Sequence, residues 1–533
     1  MTEVPTNVAP LEPPWQPKYN PWLIAVVVAM AAFMEVLDTS IANVALPYMA
    51  GNLGVSNDES TWVLTSYLVS NAIVLPISGW LAGRFGRKRF FISCLAIFTL
   101  SSLLCGIAPS LGMLLLFRVM QGAGGGGLQP MAQAILADTF PPAKRGLAFA
   151  VYGITTIVAP TIGPTLGGWI TFNYSWRWIF FINLPVGILA VALVLRLIED
   201  PPYLARLKSA GVRFDYIGIG LLVLGVGALQ ILLDRGQEDD WFGSNVITTL
   251  AIVAAVCLVS LVIWEWFRKD AVIDVKLFKS FNFLSSNLML FTLGIVLFSS
   301  LVLMPQFLQT LLGYTAELAG LVLSAGAFVL LFAIPVVGQL TTKVQARYII
   351  AFGWLSLAVA MFYSTRRIDL LMSFSAATWL RVAQVVGLGF LFVPITLVAY
   401  VGIPAEKSNA VAGLVNFMRN IGSSVGTSMV TTVIARRSQY HQTVLVGHIS
   451  PASQNFQNLI NGLAQRIVHS GLSFHDAQAQ AYERVYRAVQ AQAATLAYID
   501  TFWILSVGAA IMFVLSFALN KNSPGGGGEV AVG

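Results

Sequence analysis

The chain runs in long apolar stretches broken by short polar segments, with little residue-by-residue alternation. A helix crossing the hydrocarbon of a bilayer needs about 20 mostly apolar residues. Fourteen such runs are legible, near 22–46, 61–82, 90–108, 113–137, 147–170, 179–198, 214–235, 245–267, 284–305, 317–340, 347–364, 372–400, 409–435 and 498–519. Strands of a membrane barrel would be about ten residues of alternating polarity, and no segment has that form. The pattern predicts an all-α membrane protein with fourteen transmembrane helices.

Composition supports this prediction. Of 533 residues only 10% are charged, against about 25% in soluble domains, so the surfaces of several soluble domains cannot be built. Mean hydropathy is +0.76. Cys94, Cys105 and Cys257 all lie within apolar runs, so neither a disulfide framework nor a metal cluster is suggested. The Pro-rich leader before Trp22 lacks the form of a cleavable signal, and the first run is long enough to remain as a span.

The net charge of +7 acquires meaning once the cations are placed. With the N-terminus inside, nineteen of the 31 Lys and Arg fall in cytoplasmic segments, among them Arg84, Arg87, Lys88 and Arg89 after span 2 and Arg268, Lys269, Lys276 and Lys279 after span 8. Short outer loops hold Arg177, Arg235, Arg366 and Arg367. By the positive-inside rule both termini are cytoplasmic, and the excess reads as topology with no call for a nucleic-acid partner. The expected location is the inner (plasma) membrane.

Sliding the chain along itself by 263 residues pairs Arg118 with Arg381, Gln121 with Gln384, Gly124 with Gly387 and Gly126 with Gly389. It also pairs Pro141 with Pro404, Lys144 with Lys407 and Gly163 with Gly426. Spans 1–6 and 9–14 are therefore read as parallel repeats, the plan of the major facilitator fold. The expected organisation is a cytoplasmic leader (1–21), a six-helix half (22–198), two inserted helices with their loops (199–280), a second six-helix half (281–519) that includes an outer loop at 436–497, and a flexible cytoplasmic tail (520–533).

Charges inside spans are costly, about 2.5–3.5 kcal/mol each on the gentlest scale, and usually mark a pathway. Glu35 and Asp38 stand three apart, on one face of span 1, and are candidate proton carriers; the plainer reading is a structural ion pair. Arg118 in span 4 is the expected counter-charge, with a fixed bond to backbone carbonyls as the alternative. Arg381 and Arg419, beside Asn416, are the intramembrane polar groups of the second half. The run GAGGGG at 122–127 fits a dinucleotide fingerprint in letters alone. It sits in an apolar span with no preceding strand, and small residues there let helices approach closely. Span 5 reads GITTIVAPTIGPTLGGW from Gly153 to Trp169, and its prolines and glycines predict a bent, thinned helix.

Together these residues resemble the fourteen-span drug:proton antiporters of the major facilitator superfamily, EmrB/QacA type. LDTSIANVALP (Leu37–Pro47, with Asn43) is similar to their span-1 motif, and GWLAGRFGRKRF (Gly79–Phe90, with Arg84, Gly86, Arg87 and Lys88) to their loop after span 2. RVMQGAGGGG (Arg118–Gly127, with Gln121) resembles the span-4 motif, whose Arg is implicated in proton transfer. GPTLGG (Gly163, Pro164, Gly167 and Gly168, following Pro160) resembles the core of the antiporter motif, and NFMRNIGSSVG (Asn416–Gly426) a span-13 signature. The resemblance implies export of hydrophobic small-molecule drugs in exchange for protons, without a cofactor, a catalytic residue or a metal. One departure matters: the loop motif commonly has an acid where this chain has Gly83, so a latch built on that acid cannot operate as usual. Arg84, Arg87 and Lys88 then read as topology and packing charges first, and as gate contacts second.

The stretch 436–497 holds all four histidines, His441, His448, His469 and His475, at spacings that fit no metal site, so solvated side chains are expected. Phe456, Leu459, Ile460, Leu463 and Ile467, then Tyr482, Val485 and Val489, have helical spacing. One or two amphipathic helices are predicted there, either docking a partner or packed on the rim. In Gram-negative cells, similar family members work with an EmrA-like periplasmic adaptor and an outer-membrane channel, and this segment is the candidate contact. The rival readings are a specific metabolite or siderophore exporter of the same fold, a non-transporting receptor or scaffold acting through the outer segment, and a membrane enzyme, against which the lack of any nucleophile–base or metal constellation counts.

Overall fold

The computed structural model describes residues 17–201, 215–268, 271–450, 453–468 and 472–520. The leader to residue 16, Arg206, Lys208, Arg213, Lys269, His469 and the tail from 521 lie outside the described residues.

All regular structure among the described residues is helical. The first half comprises α1 (Pro21–Leu53), α2 (Asn57–Phe85), α3 (Arg87–Gly106), α4 (Leu111–Gly125), α5 (Leu128–Thr139), α6 (Arg145–Asn173), α7 (Trp178–Phe181) and α8 (Asn183–Leu197). Inserted helices α9 (Tyr216–Arg235) and α10 (Asn245–Phe267) follow. The second half comprises α11 (Phe281–Thr310), α12 (Ala316–Leu340), α13 (Ala346–Arg367), α14 (Phe374–Gly389), α15 (Phe392–Ala399), α16 (Ser408–Gly447), α17 (Gln454–Val468) and α18 (Phe474–Ser516). Local sequence sets the ends. Asn20 caps α1 ahead of Pro21, and Gly54 stops it in the left-handed region. Ser56 and Glu59 form a reciprocal capping box on α2.

Among the described residues, twelve helical stretches are long and apolar enough to cross a membrane, α7–α8 and α14–α15 each forming one of them. The other two expected spans fall on α4–α5, which is interrupted at Gly126–Gly127, and on α16, which carries many polar residues.

The repeat is visible in the packing. In the first half α1 packs on α6, α4 on both α2 and α3, and α8 on α3. In the second half α11 packs on α16, α14 on both α12 and α13, and α18 on α13. The halves meet through α2 against α16 and α6 against α12, pairings that the repeat interchanges. Helix α9 leans on α2 and on α16, and α10 packs mainly on α9. Apolar on every side, α10 buries only Ile247, Ala254, Leu261 and Glu265, a single stripe toward its neighbour. Its remaining surface suits lipid.

The outer stretch at 436–497, expected to carry one or two amphipathic helices, is helical over most of its length. At 1.5 Å per residue, the 40 residues of α16 and the 43 of α18 reach about 60 Å, twice the hydrocarbon thickness of about 30 Å. Both therefore continue as one rod from the bundle into the projection. Ile460, Ala464 and Ile467 of α17 are buried against Ala477 and Ala481 of α18, while Leu459 and Tyr482 stay exposed.

Candidate functional site

Asp38 and Glu35 lie on the inward face of α1, 2% and 3% exposed, and each has its own set of partners. One oxygen of Asp38 accepts from Arg118 Nη1 at 2.7 Å; the other accepts from Gln121 Nε2 at 3.0 Å and Asn183 Nδ2 at 2.6 Å. Arg118 is fully buried; it also donates to Gln121 Oε1 at 2.7 Å and the Val63 carbonyl at 3.0 Å, and lies over the Tyr67 ring at 4.4 Å. Helices α1, α4 and α8 thus converge on one ion pair. Glycines bring α4 close against α2 and α3: a Cβ at Gly122 would sit 2.4 Å from the Tyr67 carbonyl, and one at Gly124 2.7 Å from the Phe98 nitrogen.

Glu35 is held by neutral donors. Tyr67 Oη and Asn71 Nδ2 donate to Oε1, each at 3.0 Å, and Gln129 Nε2 donates to Oε2. The oxygen of Gln129 in turn accepts from Arg419 Nη2 of the second half. Tyr152 Oη lies 3.1 Å from both Gln129 Oε1 and Asn416 Oδ1, and its single proton serves one at a time. Asn416 Nδ2 donates to Gln133 Oε1 at 2.6 Å.

These contacts continue a ladder along α16. Ser408 Oγ accepts from Arg87 Nη2 at 3.2 Å. A Cβ at Gly79 would lie 2.8 Å from the Asn409 carbonyl, and one at Gly413 3.1 Å from that of Leu75. Asn416 and Arg419 follow at helical spacing, so the seam is closed over about 16 Å. Beside it, a Cβ at Gly146 of α6 would lie 2.1 Å from Thr341 Oγ1 and one at Gly338 of α12 2.9 Å from the Ala150 Cβ.

The loop motif serves this seam. Far from being a surface charge, Arg87 is 2% exposed and pairs with Asp138 of α5 at 2.7 Å. With Gly83 in place of an acid, the carboxylate that meets Arg87 comes from another helix. Gly86 takes φ +91°, a left-handed value that favours glycine, next to Asp200, which accepts from the Lys88 amide at 2.7 Å. Lys88 Nζ reaches the Leu195 carbonyl, and Arg84 is partly buried.

The antiporter-motif residues bind α6 to α1. Pro164 has no N–H for the carbonyl of Pro160 four residues back, and Ser40 Oγ donates to that carbonyl at 2.9 Å. Cβ atoms at Gly163 and Gly167 would lie 2.3 Å from Ser40 Oγ and 2.9 Å from Ile41, while Gly168 meets Val44 only at ordinary contact distance. Two of the expected residues stand apart. Asn43 is exposed on α1, off the acid cluster. Arg381 is 1% exposed in α14 and donates to Ser300 Oγ at 3.0 Å; where Asp38 stands in the first half, the 263-residue offset places Leu301.

In the projection, the expectation of solvated histidines fails at His441. Its Nε2 lies 2.7 Å from Asp500 Oδ2, which also accepts from Arg437 Nε at 2.6 Å. This cluster ties the extension of α16 to α18, whereas His475 is exposed. Among the described residues no group of three or more His, Cys, Asp or Glu is placed to hold a metal ion.

Sequence reasoning missed Tyr67, Asn71, Gln129, Gln133, Asp138, Tyr152 and Asn183. The amides carried a usable signal: Asn71, Gln129, Gln133 and Asn183 are strong hydrogen-bonding groups inside apolar runs, and Gln129 and Gln133 are four apart on one helix face.

Two parallel helical halves meeting at a seam that carries buried charge define a multi-pass membrane carrier of the alternating-access class, a transporter and not an enzyme. The profile of the Major Facilitator Superfamily matches residues 28–427. Over 501 residues the chain is 39% identical to "Multidrug export protein EmrB" of Haemophilus influenzae, covering 93% of this chain and 95% of that one. It is 36% identical to the protein of the same name from Escherichia coli over 95% and 97% of the two chains. It is 39% identical to "Fatty acid resistance protein FarB" of Neisseria gonorrhoeae over 83% and 86%. The chain belongs to the Major Facilitator Superfamily and is of the EmrB type. Among solved structures, the proton:xylose symporter XylE shares the fold at a TM-score of 0.60 and 15% identity, over 94% of this chain and 96% of that one.

Proposed function

We propose that the chain is a secondary active multidrug exporter of the inner membrane, moving hydrophobic compounds outward in exchange for protons. In this reading α4–α5 and α16 complete fourteen spans, both termini are cytoplasmic, and the closed seam at Arg87, Gly79 and Ser408 is the cytoplasmic gate. The observation that carries it is the pair of buried acids on one turn of α1. Asp38 is bound to Arg118 within its own half, and Glu35 is bound through Gln129 to Arg419 of the other. A proton entering from outside onto this pair alters the charge compensation of Arg118 or Arg419, so the halves rearrange. The names of the EmrB and FarB relatives support hydrophobic cargo. The projection built from α16, α17 and α18 suits contact with an EmrA-like periplasmic adaptor and, through it, an outer-membrane channel.

The test is dye efflux from liposomes containing the purified protein, under an imposed inward proton gradient. Exchanging one proton for a neutral compound moves one net charge. A potential of 100 mV then contributes about 2.3 kcal/mol, or about fifty-fold in dye gradient. Efflux should fail in Asp38→Asn and in Arg118→Ala. Full activity in both variants sinks the assignment of the proton site, and efflux indifferent to the gradient sinks the exchange.

A further inference from the structure

We infer that Glu35, Gln129 and Arg419 form a proton-operated latch between the two halves, with Gln129 as the positioning residue through which the second half reads the state of Glu35. This rests on the proton-exchange reading above and adds the step by which a proton becomes a movement.

The logic lies in which atoms donate. Gln129 faces Glu35 with its NH2 and faces Arg419 and Tyr152 with its oxygen. That orientation satisfies an ionised carboxylate, which only accepts, and a guanidinium, which only donates. Oε1 of Glu35 already takes two donors, Tyr67 and Asn71, while Oε2 takes only Gln129. A proton arriving from water therefore displaces least on Oε2. The new O–H is a donor facing a donor, and the amide of Gln129 answers by turning its oxygen to Glu35. Its NH2 then faces Arg419. Tyr152 can accept from it, but Arg419 cannot, so Arg419 loses the Gln129 oxygen and keeps only Tyr152 and the face of the Phe392 ring beside it.

The charge argument runs the same way. The titratable or charged groups around Glu35 are Asp38 one turn along α1, Tyr67 of α2, Arg118 of α4, Tyr152 of α6 and Arg419 of α16. Helices α5 and α8 contribute neutral Gln129, Gln133 and Asn183. Asp38 is committed to Arg118, which leaves Glu35 as the counter-charge of Arg419, one amide away. A proton on Glu35 cancels it. Arg419 is the rung of the ladder nearest the middle of the bundle, so its release starts the parting of α16 from the first half. Opening the cytoplasmic side on proton arrival is the order that exchange requires, because the proton is then delivered inward and cargo can be loaded.

The experiment measures the width of the seam in the full-length protein. Spin labels on exposed Arg89 and Glu406 flank the Arg87–Ser408 contact, with Cys257→Ser as background because Cys94 and Cys105 are buried. In wild type the ratio of wide to narrow distances should rise about tenfold per pH unit as pH falls, the slope of one proton. Glu35→Gln keeps the shape of the protonated acid and should be wide at every pH. Arg419→Gln should also lose the slope, and the double variant should add nothing to either single one. Circular dichroism and elution volume identify any variant that fails to fold, and Glu35→Gln and Arg419→Gln each test the latch alone. A wild-type slope surviving in Glu35→Gln or in Arg419→Gln overturns the latch. Efflux on the same preparations separates the two proposals. A proton-dependent distance without gradient-driven efflux keeps the latch and removes the exchange; gradient-driven efflux with the slope intact in Glu35→Gln does the reverse.

Discussion

Replacing Asp38 by Asn tests the ion pair at its root. The change keeps size and shape but removes the charge facing Arg118 at 2.7 Å. Charge centres about 4 Å apart attract by about 4 kcal/mol at an effective dielectric of about 20, and breaking a buried pair by deleting one partner costs about 3–5 kcal/mol. The new amide has a second difficulty. With its oxygen toward Arg118, its NH2 confronts the NH2 groups of Gln121 and Asn183. Turned over, it points the NH2 at the guanidinium. Gln121 cannot rotate to relieve this, since its oxygen is held by Arg118 at 2.7 Å.

The single variant should therefore lose about 3–5 kcal/mol, and Arg118→Gln a similar amount for the mirror-image reason. The double variant Asp38→Asn/Arg118→Gln leaves no unpaired charge, so its loss should fall short of the sum by about 2–3 kcal/mol. Denaturant midpoints in mixed micelles, followed by tryptophan fluorescence, give all four corners of the cycle. Additivity within about 0.5 kcal/mol would refute the reasoning, because the 2.7 Å contact would then carry no energy of its own. The fraction of the double variant that remains folded should be inactive in efflux, separating holding the bundle together from transport.

Three further outcomes follow from other contacts. Arg87→Ala leaves Asp138 buried without its guanidinium and frees Ser408, so it should cost about 3–5 kcal/mol and widen the Arg89–Glu406 distance at every pH. Gly79→Ala puts a methyl 2.8 Å from the Asn409 carbonyl, so the same label pair should shift outward while Gly83→Ala, with open space around it, leaves the distance unchanged. Ser40→Ala removes the donor to the Pro160 carbonyl freed by Pro164 and should cost about 1–3 kcal/mol in the same unfolding assay.

How much of this could be read in advance depends on the length scale of each signal. Hydropathy over 20 residues locates helices wherever apolar residues dominate, and it worked for the strongly apolar runs. It blurs where the repeat holds its polar seam: α16 spends its apolar positions on Asn409, Asn416 and Arg419, so the ladder that gives it function also lowers its hydropathy. The same polarity set the helices predicted within 436–497 apart from the spans, although α16 and α18 run unbroken into that stretch. Charged residues stood out because each violates the composition of its span, which is why Glu35, Asp38, Arg118, Arg381 and Arg419 were all found. Their neutral partners did not. An amide at 129 looks like an isolated polar residue until folding brings α1, α6 and α16 to it from 94, 23 and 290 residues away. Spacing along one helix pairs Glu35 with Asp38, yet the two acids diverge in three dimensions, one fixed to Arg118 within its half and the other tied through Gln129 across the seam. In the proposed mechanism that divergence gives them different work: Asp38 holds the first half together around its ion pair, and Glu35 reports to the second.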